Sequence, residues 1–62
     1  MKLLKSYEHK TFSITLFETD DGMYSVEQTI EGRTTHTRPD ENLSNVLSIF
    51  DTMLETFRTY CH

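Results

Sequence analysis

The chain is poor in residues that break, bridge or stiffen a backbone: its 62 residues hold one proline, two glycines, one cysteine and no tryptophan. The lone thiol, Cys61, has no second cysteine to pair with, which excludes an intramolecular disulfide and fits a reducing, cytoplasmic setting. Long apolar runs are missing too. Leu3-Leu4 is too short for the apolar region of a signal peptide, and no stretch is long enough to span a bilayer. Repeats, low-complexity runs and linkers are absent, so residues 1–62 read as one small domain. A chain of this size buries only about 60% of the surface it exposes when unfolded. With disulfides excluded, self-association is the support left open.

Charge of one sign is also scarce. Six Lys and Arg stand against ten Asp and Glu, for a net charge of −4, and Lys2, Lys5 and Lys10 lie at the start of the chain. The rest of the chain is therefore acidic. Binding to nucleic acid without sequence preference draws on cations that replace counterions condensed on phosphate, so this composition disfavours it. A basic protein surface is the natural electrostatic complement.

What is present is periodic. In "TFSITLF", Phe12, Ile14 and Leu16 share one face and Thr11, Ser13 and Thr15 the other, the alternation of a half-buried strand. "MYSVEQTI" repeats the pattern with Tyr24, Val26 and Ile30. The intervening "ETDDG" supplies hairpin-loop chemistry, and parity demands an odd loop of three or five residues, which places Leu16 opposite Val26 and Phe12 opposite Ile30. Glu31-Gly32 reads as a two-residue turn into a third strand, Arg33 to about Arg38, rich in threonine and with nothing large to bury. After Pro39 the period changes. Leu43, Val46, Leu47, Phe50, Met53, Leu54 and Phe57 follow helical spacing, with Ile49 and Tyr60 at the margins of the stripe and Asp40 or Asn42 available as a cap.

Catalytic chemistry is not legible. The histidines fall at residues 9, 36 and 62, and Glu18, Asp20 and Asp21 sit in what reads as a turn, without a nucleophile beside a base. Aligning Gly22 with the glycine of a calcium loop puts Phe17 and Gln28 where carboxylates are required, and no Cys-x-x-Cys or His-x-x-x-His spacing suggests zinc. No catalytic, cofactor-binding or metal-binding residue is assigned, and Cys61 is read as a minor packing residue.

"DDGMYSVE", the glycine turn in "EGRTTH" and the helix-like "RPDENLSNVLSIFDTMLETF", in that order, resemble the N-terminal half of HicB-like antitoxins over residues 12–57. The resemblance implies a β-rich, partial ribonuclease-H-like fold that neutralises a small basic RNA-cleaving toxin. The chain departs from the family in lacking the proline- and glycine-rich sequence after the second strand, and residues 1–62 leave no room for a DNA-binding segment.

The expected fold is α+β: a three-stranded antiparallel meander with one C-terminal amphipathic helix on a single face. Residues 1–9 either form a flexible basic arm or extend the first strand through a bulge near His9-Lys10. The expected role is a non-enzymatic protein-interaction module without a cofactor, self-associating as a homodimer. Two surfaces are candidates: the third-strand edge at Thr34, Thr35, His36, Thr37 and Arg38, and the helix end at Leu54, Phe57 and Tyr60, where a helix longer than the strands would overhang the sheet. The alternatives are an acidic inhibitor that caps a basic effector and weak nucleic-acid binding through the basic arm with Arg33 and Arg38.

Overall fold

A computed structural model describes residues 1–60, the side chain of Tyr60 excepted. Four strands form one antiparallel sheet in chain order: β1 (Lys2–His9), β2 (Phe12–Glu18), β3 (Tyr24–Ile30) and β4 (Arg33–His36). One helix, α1 (Leu43–Tyr60), follows and packs across β2 and β3. The architecture is α+β as the pattern predicts, with four strands rather than three. The difference lies in residues 1–9: Lys2–His9 is neither an arm nor an extension of the next strand, but a strand of its own that folds back at Lys10-Thr11. Lys10 takes a positive φ of 53° to make that turn, and Leu4 is the extra residue of a bulge between Leu3 and Lys5.

Pairing of β2 with β3 has the register that apolar parity requires. Leu16 faces Val26 and Phe12 faces Ile30, across a five-residue loop at residues 19–23. Thr19 organises that loop: its backbone N–H donates to the Met23 carbonyl at 2.7 Å, and its Oγ1 accepts from the Met23 N–H at 3.1 Å. The second turn places Ile30 opposite Arg33 and Gln28 opposite Thr35. Glu31 and Gly32 there have φ of 50° and 84°, the left-handed pair that a tight turn matching strand twist needs.

The core consists of Phe12, Ile14, Leu16, Val26, Val46 and Phe50, all buried. Around it pack Tyr7, Tyr24, Leu43, Leu47, Ile49, Met53, Leu54 and Phe57. Beyond His36 the chain keeps to the side of β3, with Thr37 bonded to Val26 and Asp40 bridged to Tyr24 in both directions at 2.8 and 2.9 Å. Asp40 then turns the chain into α1, its Oδ1 accepting from the Asn42 N–H at 2.8 Å. Asn42 caps the helix by accepting from the Ser44 N–H at 3.0 Å. Among the described residues no helix is long and apolar enough to cross a membrane.

Candidate functional site

β4 is an outer strand of the sheet, so the candidate edge is where the sequence places it. Thr34 shares a hydroxyl hydrogen bond of 2.9 Å with Thr29, and His36 Nδ1 lies 3.5 Å from Glu27 Oε2 on the face away from the helix. Thr37 is committed inward. Its N–H donates to the Val26 carbonyl at 2.9 Å, its Oγ1 accepts from the Val26 N–H at 3.0 Å, and its carbonyl accepts from the Ser25 hydroxyl at 3.0 Å. These bonds satisfy Ser25, which is buried on the polar face of the sheet. The exposed edge is therefore Thr34, Thr35 and His36, with Arg33 before them and Arg38 beyond.

The helix end differs from the sequence expectation more sharply. Phe57 does not overhang the sheet: its ring stacks on Phe12 at 3.9 Å with 8° between planes, and His9 meets it edge-on at 5.9 Å. An 18-residue helix is about 27 Å long. Its last turn lies over the start of β2 at Phe12 and the end of β1 at His9, where the two strands pair. Leu54 is half-buried against the core. The side chain of Tyr60, Cys61 and His62 lie outside the described residues.

The basic arm is folded into the sheet as well. Lys5 lays its stem toward the helix, with Nζ 3.6 Å from Asp51 Oδ1 and 4.9 Å from the centre of the Phe50 ring. The ammonium group of Met1 donates to Asp20 Oδ1 at 2.6 Å. That hydrogen bond, and then the charge itself, holds the Asp20 carboxyl below its ordinary range. Both pairs are exposed, so each contributes little to stability.

A surface that the sequence did not single out runs along the opposite flank of α1. Because the helix sits over β2 and β3, the helix-side face of β4 is left open, and Arg33 and Thr35 are exposed there. Between that face and the helix lies a mainly apolar groove of about 280 Å³, lined by Phe12, Ile30, Met53 and Phe57 with Gln28, Thr52 and Thr56. Ile30 is 42% exposed in it. The groove continues past Ser48 and Ile49 along the helix. Ile49 at the margin of the apolar stripe was the one hint in the sequence. Among the described residues no group of three or more His, Cys, Asp or Glu side chains is placed to hold a metal ion.

Comparison with protein-family models, curated proteins and solved structures finds no match. The resemblance to HicB-like antitoxins therefore rests on the quoted residues alone.

Proposed function

We propose that the chain is a small, non-enzymatic protein-interaction module whose first partner is another copy of itself. The observation that carries this reading is the apolar groove beside Met53 and Ile30, left open beside a core in which six apolar side chains are fully packed among the described residues. Covering Ile30, Ile49 and Met53 removes apolar surface from water at about 25 cal/mol per Å², which favours association in a domain with little internal stability to spare. Sedimentation velocity over tens to hundreds of micromolar tests it. A mass rising from 7.3 kDa toward twice that value supports self-association, and a monomer at every concentration refutes it.

A second reading is favoured by charge. The net charge of −4 and the exposed acids Asp20, Asp21, Glu41 and Glu55 suit a basic protein partner, as an inhibitor or antitoxin-like cap would meet. Such a complex forms fast at low ionic strength and weakens as salt rises. Capture of a basic protein that is indifferent to salt counts against it.

A further inference from the structure

From the structure we infer that two chains associate through the uncharged flank of α1, packed antiparallel about a two-fold axis near Thr52, and not through a sheet edge; the inference rests on the self-association reading above.

Three observations converge. The first is charge. Around α1, Asp51, Glu55 and Arg58 gather on one side, with Asp51 turned toward β1 and Lys5. Ser48, Ile49, Thr52, Met53 and Thr56 occupy the groove side, without a charge among them. A two-fold interface brings each patch against its own copy, so any net charge on the patch repels itself. This flank is neutral and escapes that penalty.

The sheet edges do not escape it. Residues 33–38 carry Arg33, His36 and Arg38 and no acid, so two copies joined along β4 bring cation against cation. β1 carries Lys2 beside the exposed Leu3 and Leu4 and is bent by the bulge at Leu4; the charge and the bulge both blunt an edge against strand addition.

The second observation is polar satisfaction. The Thr56 hydroxyl donates to the Thr52 carbonyl at 2.9 Å, so a partner can cover Thr56 without stranding its O–H. The third is shape. Ser48, Thr52 and Thr56 form an i, i+4 ridge of small residues that allows close approach of a second helix, while Ile49 and Met53 stand beside it, next to the groove floored by Ile30. In an antiparallel pair, Ile49 of each copy meets Met53 of the other. A standard interface takes about 800 Å² from each partner, about one-sixth of the 4587 Å² this chain exposes.

The test uses the full chain in a Cys61→Ser background. Thr52 is exposed in the single chain, so Thr52→Arg leaves folding intact while placing two cations at the axis. It is expected to weaken dimerisation at least ~30-fold, the scale of a central hot spot, with an unchanged circular dichroism spectrum. Thr52→Cys is expected to form a disulfide-linked dimer under mild oxidation, and Asp51→Cys, on the opposite flank, to form none. His36→Arg at the β4 edge is expected to leave association unchanged. Dimerisation that withstands Thr52→Arg and is lost in His36→Arg overturns this interface while self-association itself stands. A chain that is monomeric throughout removes both.

Discussion

Replacing Phe57 with alanine separates a core residue from an interface residue. Truncating a fully buried phenylalanine costs about 3–5 kcal/mol. Phe57 is half-buried, so about half of that applies, near 2 kcal/mol, and loss of the parallel stack on Phe12 adds roughly 0.5–1.5 kcal/mol. The expected loss is about 2.5–3.5 kcal/mol. At ~0.05–0.15 kcal/mol per residue, a domain of this length holds only about 3–9 kcal/mol in total. The variant therefore loses a large share of its stability, and its Tm falls by roughly 10–28 °C at ~4–8 °C per kcal/mol. Urea denaturation followed by circular dichroism, at concentrations where the chain is monomeric, measures this directly. A change below about 0.5 kcal/mol, the range of an ordinary surface position, would refute the placement of Phe57 over Phe12 and restore it to an overhanging helix end.

Three further outcomes follow from local contacts. Asn42→Ala removes the acceptor for the Ser44 N–H and is expected to cost about 1 kcal/mol in thermal denaturation, with Asn42→Asp retaining most of the stability. Thr37→Val keeps the shape of the side chain but strands the Val26 N–H inside the sheet, an expected loss of about 1–3 kcal/mol, with faster hydrogen exchange at Val26. Asp20 has a carboxyl held below its ordinary value by the Met1 ammonium. Its contribution to stability is present above the unfolded pKa, about 3.9, and is lost as pH falls through the lower folded value. Asp20→Asn is therefore expected to lower Tm slightly at neutral pH, where the contribution is present, and to leave it unchanged in acid below the folded value, so that the acid limb of a Tm-versus-pH curve flattens.

Much of the fold is written locally in the sequence. Apolar parity in Phe12–Leu16 and Tyr24–Ile30 determines both the pairing and the odd loop length, because a slip by one residue would turn the core row into solvent. The helix and its cap are equally visible in the spacing from Leu43 to Phe57 and in the Asn before it. β1 was not visible, for three physical reasons. Its helix-side residues, Lys5, Tyr7 and His9, cover the rim of the core with stems and rings rather than filling it, so no apolar alternation marks the strand. The bulge at Leu4 breaks parity between the leucines and Tyr7, and the turn at Lys10 takes a positive φ without a glycine to announce it.

The candidate surfaces divide in the same way. The β4 edge follows from chain order and polarity, and it is found there. The inward commitment of Thr37 is a tertiary fact, set by how the chain crosses beside Val26 and Tyr24 on its way to the helix. The helix-flank groove exists because α1 settles over β2 and β3 and leaves β4 uncovered, an offset that no single-element periodicity encodes.

The most direct measurement is an amide NMR spectrum of the isotopically labelled chain recorded across a dilution series. Concentration-dependent shifts are expected, confined to the α1 flank around Ile49, Thr52 and Met53 and to Ile30 at the groove, with the β1 and β4 edges unchanged. Spectra that do not move on dilution, or shifts that map to Lys2–His9 or Arg33–His36, would contradict the α1 interface.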